Sequence, residues 1–127
     1  MPTKEKVYTK DAPANPPTIS HAVRYGNILV VSGQVGKRPD GSIPGTVEEQ
    51  VHVAFDNLKA ILAEAGVGLE SVLGCQCYLS RPEDFATMNN AYHPYFEGME
   101  VPPTRCTVFA GLANPKLFFE ITVIAGV

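Results

Sequence analysis

Residues 104–125 read TRCTVFAGLANPKLFFEITVIA. Two runs of β-branched, aromatic and aliphatic residues, 104–112 and 116–125, flank Ala113-Asn114-Pro115, and the pattern predicts two strands joined by a hairpin loop. Strand side chains alternate between faces. In the first run Cys106, Val108 and Ala110 fall on one face, and Arg105, Thr107 and Phe109 on the other. In the second, Leu117, Phe119, Ile121 and Val123 form an all-apolar face, with Phe118, Glu120, Thr122 and Ile124 opposite. A symmetric hairpin centred between Ala113 and Asn114 sets Glu120 against Thr107 and Arg105 against Thr122. On that register Arg105 and Glu120 are diagonal, a slip of two residues sets them directly opposite, and either way they share a face. Two readings are open. The charges form a cross-strand ion pair, or Arg105 grips a ligand carboxylate in a bidentate fork while a partly desolvated Glu120 serves as general acid/base.

Upstream, TVEEQVHVAFDNLKAILAEAG (46–66) predicts a helix. Thr46 and Glu49 have capping-box spacing, and Val47, Val51, Ala54, Leu58, Ile61, Leu62 and Ala65 recur at helical spacing. Gly66 is a stop signal. SRPEDFATMNNAYHPYF (80–96) predicts a second helix, with Ser80 and Glu83 as a capping box and Pro94 ending or kinking it near His93. SVLGCQCYLS (71–80) alternates as a strand, and HAVRYGNILVVSGQ (21–34) gives two short strands or one bent strand around Gly26-Asn27. The Pro-rich DAPANPPTIS (11–20) is expected to be irregular. The order is β-β-α-β-α-β-β, an α+β fold with two helices on one face of a mixed sheet, in a single domain over residues 1–127. Ile28 to Val31 are apolar on both faces, while helices cover only one. A second subunit on the other face, and hence an oligomer, is the expectation.

Composition narrows the function. The chain is 45% hydrophobic and 18% charged with a net charge of −3, and no Lys/Arg run marks a nucleic-acid or membrane surface. No stretch is long and apolar enough to span a bilayer, and MPTKEKVYTKDAPANPP lacks the apolar core of a signal peptide, so a cytoplasmic location is expected. Three cysteines suit a reducing compartment. Cys75 and Cys77, one strand pitch apart on one face, read as small buried hydrophobes. His21, His52 and His93 show no metal-ligand spacing, and no metal is expected.

Five blocks, in order, resemble the reactive intermediate (imine) deaminase or Rid superfamily: PTISHAV (17–23), GNILVVSGQ (26–34), QVHVAFDNL (50–58), DFATMNNAYHPYF (84–96), and PPTRCTV (102–108) with LFFEITVIAGV (117–127). The resemblance covers nearly the whole chain. It implies a chorismate-mutase-like fold and a homotrimer with clefts between subunits. It also implies hydrolysis of amino-acid-derived enamines and imines, such as 2-aminoacrylate, to 2-oxo acids and ammonia without cofactor. It assigns the substrate carboxylate to Arg105 and the attacking water to Glu120, with Ser32, Gly33, Asn89 and Cys106 lining the pocket. In the first block Ile19 stands where the family has its pocket tyrosine, which implies a smaller and more apolar wall, and His21, expected as a hydrogen-bonded surface histidine, stands where it has glutamine. A metabolite-binding trimer without turnover and an RNA-directed translation inhibitor are the alternatives.

Overall fold

Thr46 starts the long helix as its spacing predicts. Its Oγ1 accepts the Glu49 N–H at 3.2 Å, and α1 runs Val47–Glu64. The stop at Gly66 requires a left-handed backbone (φ +81°), which glycine adopts without strain. The second helix is shorter than its pattern. A 3₁₀ turn at Pro82–Asp84 leads into α2, Phe85–Tyr92, and Pro94 confines the rest to a 3₁₀ turn, His93–Tyr95. Ser80 is not its cap. The Ser80 hydroxyl donates to the Leu117 carbonyl at 3.2 Å, and the Arg81–Asp84 ion pair at 2.7 Å braces the helix entry instead.

The computed structural model describes residues 2–127. Six strands form one mixed sheet: β1 Lys4–Val7, β2 Ala22–Tyr25, β3 Ile28–Val35, β4 Val72–Leu79, β5 Thr104–Phe109 and β6 Phe119–Gly126, in the order β1-β2-β3-β6-β4-β5. β2 and β3 are the two short strands expected around Gly26, whose φ of +61° makes the tight turn. β1 is an additional strand, polar and at one edge, with no hydrophobic alternation to announce it.

The hairpin expected over residues 104–125 does not form. β5 pairs parallel with β4, Arg105 opposite Cys75, and β6 pairs antiparallel with both β4 and β3. Parallel neighbours need a crossover connection, and α2 is that crossover between β4 and β5. α1 likewise links β3 to β4, which run parallel with one strand position open between them, and β6 fills it. Alternation within each run is as read, but the relation between the two runs passes through β4. One row across the sheet holds Arg105, Cys75, Val123 and Val31, facing the helices. Another holds Val108, Tyr78, Glu120 and Val35, facing away. Arg105 and Glu120 therefore lie on opposite faces. They are two strands apart and three residues along, or roughly 14 Å between Cα atoms from strand spacing and rise. The cross-strand ion pair is excluded within one chain.

Both helices cover one face. Leu29, Ile121, Phe119, Leu79 and Cys77 meet Phe55, Leu58 and Met88, all at most 1% exposed. Gln50, fully buried on α1, ties down the chain entering β6: its Nε2 donates to the Pro44 and Lys116 carbonyls, and its Oε1 accepts from Phe118 N–H. Cys75 and Cys77 are buried as expected, and burial pushes the Cys77 thiol up to about 12. The other face carries no helix, leaving Tyr25, Ile28, Val30 and Ile124 between 41% and 52% exposed. Phe109 does not belong to that patch; it lies on the helix side against Phe85, ring centroids 6.3 Å apart. Among the described residues no helix is long and apolar enough to cross a membrane.

Candidate functional site

The candidate residues fall into two groups, one on each face of the sheet. Arg105 sits on the outermost strand with its guanidinium turned back under α2. There Nη1 donates to Asn89 Oδ1 at 2.8 Å, and the guanidinium carbon lies 4.8 Å from the Tyr92 ring centroid. Asn89 and Tyr92 project together because three residues make nearly one helical turn. No carboxylate of the described residues pairs with Arg105. The cation is thus oriented by a neutral acceptor and an aromatic ring, and keeps N–H donors for an anion. It opens on a cavity of about 520 Å³ lined by Tyr92, Pro94, Phe96, Pro102 and Pro103, and also by Asn90, His93 and Glu97. Burial, and then the neighbouring Cys75, raise the Tyr92 hydroxyl above its ordinary range, so it stays protonated. One strand position along, Thr107 Oγ1 is buried without a hydrogen-bond partner among the described residues.

Glu120 occupies the opposite face with Gly33. A Cβ on Gly33 would overlap the Glu120 carboxylate, its nearest carbon 2.9 Å away. Only glycine leaves the carboxylate in this position. No ion pair or hydrogen bond joins Glu120 to another described residue, and burial raises its pKa above the ordinary carboxylate value. A cavity of about 310 Å³ beside it is walled by Pro13, Ala14, Asn15, Ala113 and Asn114. The arrangement is that of a proton acceptor poised without a competing cation.

The N-terminal loop joins the Glu120 side. His21, expected at the surface, is instead 1% exposed. Thr9 N–H donates to its Nδ1 at 3.2 Å, so Nε2 bears the proton and donates to the Pro13 carbonyl at 2.8 Å. Its ring stacks on Tyr8 at 4.6 Å. The His21 ring shapes the Pro13–Asn15 wall and is occupied in doing so. The Ser32 hydroxyl is also engaged, donating to Ser20 C=O at 2.6 Å. Ile19 is half exposed, with its N–H bonded to the Pro16 carbonyl. Cys106, adjacent to Arg105 in sequence, points to the opposite face. It lies in a groove of about 480 Å³ with Val30, Gln76, Thr122 and Ile124.

The structure thus joins Arg105 to Asn89 and Glu120 to Gly33, and keeps the two pairs apart. Sequence reasoning did not identify Tyr92 as the platform for the guanidinium, although its position three residues after Asn89 carried the signal. Among the described residues no cluster of three or more His, Cys, Asp or Glu could hold a metal ion.

Comparison with known proteins fits this architecture. A RutC family protein of Pyrococcus abyssi is 35% identical over 124 residues, covering 96% of each chain. The Rid-family protein YyfA of Yersinia pestis superposes with a TM-score of 0.92 at 30% identity, over 98% of this chain and all of that one. TdcF of Escherichia coli, provisionally named a reactive intermediate deaminase, is 29% identical over 96% of each chain, and its crystal structure with bound serine matches with a TM-score of 0.89. The family model described as endoribonuclease L-PSP matches residues 9–127. The chain therefore belongs to the endoribonuclease L-PSP family, within the Rid superfamily that its sequence blocks resemble.

Proposed function

We propose that the protein hydrolyses carboxylate-bearing enamines and imines derived from amino acids to 2-oxo acids and ammonia. The observation that carries this reading is Arg105, a cation oriented by Asn89 and Tyr92, facing a cavity and lacking an internal carboxylate. A planar guanidinium offers a carboxylate two parallel hydrogen bonds. TdcF, a relative of this chain, binds an amino acid in its crystal structure.

An iminium carbon is already electrophilic, so the barrier falls mainly through orientation and a proton acceptor. Water adds to the imine carbon as Glu120 accepts its proton. Glu120 then returns the proton to nitrogen, the C–N bond breaks as Glu120 takes the hydroxyl proton, and ammonia leaves as the C=O forms. The raised pKa of Glu120 makes it a stronger base than an exposed carboxylate. Because the two groups lie on opposite faces of one chain, a substrate touching both lies between two copies, one supplying Arg105 and the other Glu120. The exposed Tyr25, Ile28, Val30 and Ile124 offer the apolar surface for that assembly, a homotrimer on this reading.

The test is ammonia and 2-oxo acid release from imines generated in situ by an amino-acid oxidase. Arg105→Ala is expected to cost roughly a hundredfold in kcat/KM, the value of a charged hydrogen-bond pair to the reacting substrate. Undiminished turnover in that variant overturns the mechanism. Thermal stabilisation by 2-oxo acids without turnover would make the protein a metabolite-binding assembly instead.

A further inference from the structure

The cavity beside Arg105 is large for the smallest substrate of such an enzyme. Its volume is about 520 Å³. It falls in the size range of sites that enclose far larger ligands than a three-carbon imine. Tyr92, Pro94, Phe96, Pro102 and Pro103 give it an apolar side, and Asn90, His93 and Glu97 line the rest. Pro102 and Pro103 precede β5, and their fixed φ stiffens the segment that leads to Arg105. Phe96 is 6% exposed and Pro94 ends the helix. The Tyr92 ring serves twice, lining the cavity and lying under the guanidinium. A ligand whose carboxylate sits on Arg105 has this wall next to its following carbon atoms. Small imines would leave the apolar surface wet, whereas a bulky side chain would displace that water. Glu97, one of the lining residues, disfavours a second carboxylate.

We propose that this cavity is a side-chain pocket that selects imines of amino acids with bulky apolar side chains over the three-carbon imine. The inference rests on the deaminase reading and adds the substrate class. The reaction is unchanged: water's oxygen becomes the carbonyl oxygen, nitrogen leaves as ammonia, and no electrons are exchanged.

The test uses the intact protein and imines formed in situ from phenylalanine, alanine and glutamate by amino-acid oxidases. The phenylalanine-derived imine is expected to show about tenfold higher kcat/KM than the alanine-derived one, with the glutamate-derived imine lowest. Asn90 and Pro102 are exposed residues at the cavity, so Asn90→Trp and Pro102→Trp fill it without touching the core. Each should collapse the phenylalanine-to-alanine preference about tenfold. No preference in the wild type, or equal losses on both imines in both variants, overturns the proposal. A separate readout covers failure of the parent reading. If no imine is hydrolysed faster than in buffer, the deaminase reading falls, and thermal shifts with phenylpyruvate and pyruvate decide the pocket. Greater stabilisation by phenylpyruvate, lost in Arg105→Ala and reduced in Asn90→Trp, supports it. Equal shifts overturn it.

Discussion

Arg105 and Glu120 belong to the same sheet but live under opposite conditions. Arg105 is held from within: Asn89 takes one of its hydrogens, Tyr92 lies beneath it, and β5 sets its height. Glu120 is held only by space, in the gap where Gly33 lacks a side chain, with burial opposing its charge. One half is assembled by contacts and the other by an omission. The contact-built half should tolerate changes nearby, and the omission-built half should not.

The sharpest way to break the comparison is to separate its halves between chains. Arg105→Ala and Glu120→Gln proteins, each expected to lose about a hundredfold alone, are unfolded, mixed and refolded together. If each site takes its cation and its carboxylate from different copies, roughly a quarter of sites in random mixed assemblies recover both groups. Activity well above either parent is the expected outcome. A mixture no more active than its parents would place both groups within one chain's reach and contradict the topology.

Gly33→Ala tests the omission. The new Cβ displaces a flexible carboxylate rather than backbone, so the fold should survive with its thermal midpoint little changed. Activity should fall roughly a hundredfold, as for a catalytic group moved by about 1 Å. Loss of folding alongside activity would mean that the strand, not the carboxylate, had yielded.

Glu120→Gln carries a stability signature opposite to its activity loss. Burial raises the folded pKa above the unfolded value. The folded chain therefore binds the proton more tightly, and this group's contribution is best at acid pH and worsens as pH rises through the folded value. At pH 7 the charge opposes folding, so Gln should raise the melting temperature, with the gain fading towards pH 4. A lower melting temperature at pH 7 would reveal a partner for the carboxylate. The smallest effect belongs to Thr107→Val. Replacing the unpartnered hydroxyl by a methyl group should stabilise the chain by about 1 kcal/mol, read from the urea midpoint. Destabilisation would show that the hydroxyl has a partner in the assembled protein.

Local signals carried most of the elements. Thr46 capping, Pro94 termination and the alternation of both closing runs are all realised. β1 was illegible because Lys4, Glu5 and Lys6 bury nothing, and only pairing with β2 makes them a strand. The hairpin was misread for a different reason. Ala113-Asn114-Pro115 has turn chemistry, but which strands become neighbours depends on the crossovers made by α1 and α2, a property of no local window. The error carried through to the site, because a strand inserted between two others resets which faces they share. Arg105 stood out as an unexplained cation in apolar surroundings, whereas the cavity it opens on depends on Pro102, Pro103 and α2 converging in space. His21 was misplaced because its partners, Thr9 N–H and Pro13 C=O, are backbone groups without sequence identity.

The position of β6 has one more consequence. It is the last element in the sequence and the central member of the β3-β6-β4 trio. During synthesis β3 and β4 emerge long before the strand that joins them, and each waits with an unpaired inner edge, the kind of edge that recruits foreign strands. The nascent chain can form its helices and its β2–β3 turn early, but it cannot close its sheet until Phe119–Gly126 has left the ribosome. A premature stop anywhere in the preceding loop would remove the middle of the sheet rather than trim its margin. Chaperone dependence of such truncated chains, compared with ready spontaneous refolding of the full chain, would be the cellular mark of a sheet built from its flanks inward.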